Sequence, residues 1–247
     1  MDIKGKIFGI FDRYSDRIIF AKPDIRIQGG PFEGMKYLSH SVGSLLVPKI
    51  LGTYELELKD TVESLPHFDL GLDVGAAEGY YAVGFLMKKT CDRMVAWEMT
   101  PEGQELIKEL ATKNGVADRI SIEGTCDPQS LGKVLEEARG KNILMVVDCE
   151  GYEGELLESI DPELLARTTL IIETHDFVVP GVHARLLQLL KSTHKITEFE
   201  KEKRRHSDLT SKLSGRFKIF GLPLIRRVAL VERRFPNMRW MVCKPAA

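Results

Sequence analysis

The sequence has little that would tie it to metal clusters, membranes or nucleic acid. Its four cysteines, Cys91, Cys126, Cys149 and Cys243, show no paired metal-ligand spacing, and three fall in or beside predicted core elements. A reducing cytosol is the simplest compartment, so a cytoplasmic protein is expected. No apolar stretch approaches the roughly 20 residues that cross a bilayer, and Ile7 to Phe11 is too short for the apolar part of a signal peptide. Internal repeats and low-complexity tracts are missing. Net charge is almost missing too, at −1.

That near-neutrality hides an uneven distribution. Lys201 to Lys244 holds thirteen Lys and Arg against three acids, while acids predominate elsewhere. The block reads as a solvated face balancing an acidic body, or as a site for an anionic acceptor or a peripheral membrane contact. No helix-turn-helix, zinc or RNA-module pattern accompanies it, so no nucleic-acid partner is expected. The 247 residues, 43% of them apolar, can bury one large core. They divide into an N-terminal cap or lid region (1–66) and a main domain (67–247), the latter interrupted by the basic insertion 201–239 before a last strand.

The stretch Asp69 to Leu86 organises the chain: a short apolar strand, a small-residue turn, then a helical apolar pattern. Gly75, Ala76, Ala77 and Gly79 leave room for a ligand against the backbone, and a helix starting near Glu78 offers unpaired N–H groups. A dinucleotide fingerprint wants a bare second glycine, and that position is Ala77. Glu78 also sets a negative charge where a diphosphate would sit. S-adenosylmethionine has no phosphate and carries a sulfonium and an ammonium, so it suits a loop preceded by the acid Asp73. Glu98, nineteen residues after Gly79, ends the next predicted strand and can accept both ribose hydroxyls. That spacing is shared with NAD enzymes; the loop chooses between the ligands, and a nicotinamide oxidoreductase is the least favoured reading.

Beyond Asp69, strands and helices alternate regularly, as a parallel sheet covered on both faces requires. Thr100-Pro101, Asp127-Pro128 and Asp161-Pro162 each read as an N-cap followed by proline at the first helical position. Asn142 to Asp148 is nearly continuously apolar, the mark of a central buried strand. Before the loop, Thr53 is a candidate N-cap for a covering helix Tyr54 to Leu65, and Lys49, Tyr54 and Glu55 are candidates to face the cofactor or to pack.

With these pieces in order, the chain resembles the FkbM-type family of class I S-adenosylmethionine-dependent methyltransferases. Three stretches carry the resemblance: Asp73-Val-Gly-Ala-Ala-Glu-Gly-Tyr80; Val95-Ala-Trp-Glu-Met-Thr-Pro101 leading to Lys113-Asn-Gly115; and Val147-Asp-Cys-Glu-Gly-Tyr-Glu153 with Ile171-Ile-Glu-Thr-His175 after it. It spans roughly residues 68 to 195. Ala77 departs from it, standing where the family often has Asn. The resemblance implies an α/β, Rossmann-like, mostly parallel seven-stranded sheet with an antiparallel last strand, Trp240 to Lys244. It also implies O-methylation of a hydroxyl on a sugar, glycan precursor or related metabolite, with S-adenosylhomocysteine as product.

Tyr80 and Met99 join the cofactor candidates, Met99 as a cover for the adenine face or as core packing. Thr125 and Cys126 follow the third strand, where the adenine edge is usually met in this fold; Asp127 beside them has an N-cap as its alternative. For chemistry, Asp148 and Glu150 end the fourth strand, and Glu173 and His175 end the fifth. Asp148 is expected at the cofactor's methionine or methyl end, Glu150 at a helix N-terminus, and His175 as general base. Each of these has a plainer reading as a cap or loop hydrogen bond. A divalent cation held by two carboxylates and the histidine is a further possibility, with no spaced acidic triad to reinforce it, so no metal is expected. Nitrogen methylation, needing less base assistance, and a cofactor-binding protein without turnover remain as alternatives.

Overall fold

The computed structural model describes residues 25–200, 205 and 238–246. Most of the basic block, including Arg226, Arg227, Arg233 and Arg234, lies outside the described residues.

Seven strands form one sheet: β1 (Phe68–Val74), β2 (Cys91–Trp97), β3 (Ile120–Glu123), β4 (Ile143–Val147), β5 (Thr168–His175), β6 (His194–Glu200) and β7 (Met238–Pro245). Their order is β3-β2-β1-β4-β5-β7-β6. The pairs among β1 to β5 are parallel, and β7 runs antiparallel to both β5 and β6. This is the Rossmann-like architecture expected above, antiparallel last strand included. The order reverses between β1 and β4, and a doubly wound sheet opens its ligand crevice where that reversal occurs, beyond the carboxyl ends of the strands.

Helices cover both faces: α1 (Leu46–Leu51), α2 (Lys59–Glu63), α3 (Tyr80–Met87), α4 (Pro101–Lys113), α5 (Pro128–Glu137), α6 (Glu153–Glu158), α7 (Pro162–Leu165) and α8 (Val182–Leu190). Three begin as their sequences dictate. Thr100 accepts from Gly103 N, Asp127 and Ser130 form a reciprocal capping box, and Asp161 accepts from Glu163 N, each with proline just inside. A cap of this kind contributes about 1 kcal/mol. Strand β4 alternates between two apolar layers, Leu144 and Val146 packing on the side of α3 and α4, Ile143, Met145 and Val147 on the side of α5, α6 and α8. A continuously apolar strand buried on both faces requires such an arrangement.

The described part of the N-terminal region packs into the first of these layers. Phe32 is buried edge-on against Tyr80, Tyr81 and Phe85, with ring centroids 5.0, 5.9 and 5.4 Å away. A Cβ on Gly84 would come within 2.6 Å of the Phe32 ring, so the bare glycine is what admits it. The helix expected from Tyr54 to Leu65 is instead a 3-10 turn, Leu56–Leu58, followed by the short α2. Glu55 takes a left-handed backbone, φ 45°, and a right-handed helix cannot propagate through it, so Thr53 does not cap that helix. Among the described residues no helix is long and apolar enough to cross a membrane.

Candidate active site

The loops after β1 and β4 meet at the reversal point. Asp148 N donates to Val74 O, and a Cβ on Gly75 would stand 1.8 Å from the Asp148 carbonyl oxygen. With φ at +84°, Gly75 also has a backbone that glycine adopts most easily. Both facts require glycine there.

Most N–H groups of the loop 75–79 are spent within the protein. Gly75 N and Ala76 N both donate to Trp97 O, Gly79 N to Ala76 O, and Ala77 N to Glu98 Oε2 at 3.0 Å. Glu98 lies just past β2, almost buried; its Oε1 accepts from Thr100 N and Oγ1. Gly103 makes room for it, since a Cβ there would reach within 2.5 Å of Glu98 Cγ. The loop and the Glu98 carboxylate are thus in direct contact.

Glu78 requires a correction. Helix α3 starts at Tyr80, because Gly79 takes φ 91° and caps the helix in the left-handed region. The Glu78 side chain is fully buried among the N-terminal residues, accepting from Tyr37 Oη (2.6 Å), Ser41 Oγ (2.5 Å), Val42 N and Lys49 Nζ (2.5 Å). Burial alone would raise its pKa, but the Lys49 charge and these hydrogen bonds outweigh it and hold the carboxyl below its ordinary 4.5. It therefore binds the N-terminal segment to the loop and sets no charge at the helix start. Lys49, one of the residues expected to face the cofactor or to pack, is its partner; Glu55 accepts from Tyr81 Oη.

Asp73 accepts from Ala82 N in the first turn of α3 and is pushed up to about 7 by burial, with Asp148 and Glu98 adding repulsion. Tyr80 is buried in the aromatic cluster with Phe32, Tyr37 and Tyr54. Met99 is 72% exposed, an apolar side chain without core packing directly after Glu98. Thr125 is exposed, whereas Cys126 is buried in the layer under α5 and its thiol is pushed up to about 12 by burial. Its side chain belongs to the core, and Asp127 is the N-cap of α5.

The second half of the site lies at the ends of β4 and β5. His175 is fully buried, and its Nδ1 lies 2.7 Å from Glu153 Oε1. Because that partner is a carboxylate, Nδ1 carries a proton in either charge state, and when the ring is neutral its lone pair lies on Nε2, facing the opposite way. Nε2 has no hydrogen-bond partner. It looks toward Asp148 Oδ1 and Glu150 Oε2, each 3.6 Å away, and Glu173 Oε2 at 3.9 Å. Burial lowers the His175 pKa, but the hydrogen bond to Glu153 and the surrounding carboxylates raise it more, for a net upward shift. Asp148 is pushed up to about 7, chiefly by burial and then by Glu55.

Glu150 also differs from expectation. Helix α6 begins at Glu153, and Glu150 sits outside it at φ 54°, its side chain 75% exposed. Glu153 occupies the helix start instead and accepts from Cys149 N and Gly151 N. Sequence reasoning quoted Glu153 within Asp148-x-x-Gly151-x-Glu153 but gave it no role, since nothing local indicates its contact with β5. Three other histidines have partners: His183 bonds Thr174 and Glu198, His194 bonds Thr168 O, and His67 bonds Asp92 at the surface.

No protein-family model and no curated protein matches the chain. Among solved structures it is similar to precorrin 8w decarboxylase of Methanobacterium thermoautotrophicum, with 16% identity, 77% of this chain and 89% of that chain covered, and a TM-score of 0.47. It is also similar to precorrin-6y C5,15-methyltransferase of Geobacter metallireducens, with 12% identity, coverage of 77% and 86%, and a TM-score of 0.47. The B. subtilis tRNA methyltransferase TrmK is 13% identical, with 77% of this chain and 65% of that chain covered, at a TM-score of 0.45.

Proposed function

We propose that the protein is an S-adenosylmethionine-dependent methyltransferase of FkbM type acting on a hydroxyl of a sugar, glycan precursor or related metabolite. One observation carries the choice of cofactor. Four N–H groups of the loop 75–79 already have acceptors inside the protein, so the loop offers little of the N–H cradle that a diphosphate needs. Around it stand the carboxylates Asp73, Glu98 and Asp148, two of them pushed up to about 7. A cationic, phosphate-free adenosine ligand relieves that crowding, and a nicotinamide diphosphate would add to it.

In this reading Glu98 holds the ribose, Gly75 to Gly79 with Tyr80 line the methionine side, and Met99 and Thr125 border the adenine. Methyl transfer is an in-line displacement: the acceptor oxygen bonds the methyl carbon as the carbon–sulfur bond breaks and its electron pair returns to sulfur. The acceptor oxygen loses its proton to the cluster at the ends of β4 and β5, where His175 Nε2 is the open base and Glu153 fixes its tautomer. Asp148 faces the methyl end, and Glu150, exposed beside Nε2, is placed to pass the proton to solvent. Phe177 and Val178, exposed directly after β5, offer an apolar lip to the acceptor.

The test is calorimetric titration with S-adenosylmethionine beside NAD, with Glu98→Ala as control. Binding of the methyl donor alone, lost in the control, is expected. A preference for NAD overturns the reading.

A further inference from the structure

Three potential donor atoms converge at the ends of β4 and β5. One each from Asp148, Glu173 and His175 lie within 4.8 Å of one another. The histidine is fully buried, and its Nε2, aimed into the group, has no hydrogen-bond partner; Asp148 Oδ1 is likewise buried without one. A buried polar atom left unpaired is costly, so an arrangement that leaves two of them facing each other calls for a ligand between them. The surroundings fix the sign of that ligand. Glu150 and Glu55 both act on Asp148 with negative charge, and Glu153 stands behind the ring.

We propose that Asp148, Glu173 and His175 bind one divalent first-row metal ion, with Glu153 orienting the histidine ligand. Two carboxylate oxygens and an imidazole nitrogen suit Mn2+, Fe2+ or Zn2+ better than Mg2+ or Ca2+, which take oxygen ligands. Ligand atoms held at about 2.1 Å from one ion stand roughly 3.0–3.5 Å apart. The observed 3.6 Å from Nε2 to Asp148 Oδ1 and 3.9 Å to Glu173 Oε2 are reached with small side-chain rotations. A carboxylate hydrogen-bonded to the far nitrogen of a metal-bound histidine fixes its tautomer and strengthens its donation; Glu153 is already in that position. Glu150, at the exposed mouth, gives the ion a route in.

With its Nε2 lone pair on the ion, His175 would no longer be the base; the ion's charge would instead favour loss of the acceptor's hydroxyl proton, which Glu150 at the exposed mouth would take up. That role rests on the methyl-transfer reading; the binding itself does not.

The experiment titrates chelator-treated full-length protein with Mn2+ and follows the electron paramagnetic resonance signal of the free ion. One ion per chain is expected, with Asp148→Asn and Glu173→Gln each weakening it at least about tenfold and Glu153→Gln about 10- to 100-fold. Thermal melts check that each variant is folded, and either ligand variant suffices. An undiminished free-ion signal with folded wild type overturns the site, as does binding that survives both ligand substitutions. S-adenosylmethionine binding without Mn2+ binding removes this inference and leaves the function; Mn2+ binding without S-adenosylmethionine binding does the reverse.

Discussion

Glu153 Oε1 accepts the Nδ1 proton of His175 at 2.7 Å, and both side chains are fully buried, one at the start of α6 and the other at the end of β5. The same oxygen accepts from Cys149 N and Gly151 N, so the loop after β4 and the histidine share one acceptor. Glu153→Gln keeps the shape but allows the amide to donate, which favours the other tautomer. Methyl transfer is expected to fall at least about 100-fold with cofactor affinity little changed. Single-turnover kinetics beside calorimetry separate the two, and full activity in the folded variant would remove the orienting role.

Lys49 and Glu78 form a buried pair between the N-terminal segment and the cofactor loop. Lys49→Met leaves the carboxylate unpaired, and urea unfolding is expected to show a loss of about 3–5 kcal/mol. Adding Glu78→Gln to that variant should recover part of the loss, since no uncompensated charge then remains.

The same pair gives a pH dependence. The folded-state pKa of Glu78 lies below its ordinary value of 4.5, so the unfolded chain binds more protons as the pH falls. Its stabilisation is complete above that value and is lost as the pH drops from about 4.5 through the lower folded pKa. Urea midpoints from pH 6 down to 3 should fall less steeply in Glu78→Gln than in the wild type.

Asp73 carries the opposite sign. Burial pushes it from 3.8 up to about 7, so the ligand-free fold loses stability as the pH rises through that range, and the loss is complete above about 7. Asp73→Asn keeps an acceptor for Ala82 N and should raise the ligand-free melting temperature at pH 8 by several degrees. S-adenosylmethionine affinity should fall at the same time. A lower melting temperature would mean that the carboxylate is mainly structural.

Two glycines of similar backbone conformation separate strain from crowding. Gly115, φ 67°, has nothing within 4 Å of a built Cβ, whereas at Gly75, φ 84°, that atom meets the Asp148 carbonyl at 1.8 Å. Gly115→Ala should cost about 1 kcal/mol, the left-handed backbone alone. Gly75→Ala should cost several times more and abolish cofactor binding, because the two loops must part. Equal effects in urea titrations would contradict the close approach.

Much of the element order was legible because its signals are local. A cap residue and proline one position on announce α4, α5 and α7 from Thr100, Asp127 and Asp161, and the apolar run of β4 needs no partner to be recognised. The stretch Tyr54 to Leu65 misled because periodicity does not register a left-handed backbone at Glu55. At the site, Asp148, Glu150 and His175 were placed at the right strand ends. For Glu78 and Cys126, position in the sequence does not show where the side chain turns. Glu78 turns back to Lys49, 29 residues earlier, and Cys126 turns into the core.

The sequence by itself determined the alternation of strand and helix, the helix starts and the small-residue loop, since each depends on hydrophobic period, capping chemistry or glycine within a few residues. Tertiary structure decided which carboxylates meet. Asp148 with Glu173 and His175, Glu153 behind the ring, and Lys49 against Glu78 are pairings between segments that only the parallel sheet and the N-terminal packing bring together. Their protonation follows from that shared burial, because low dielectric and neighbouring charge arise from residues distant in the chain.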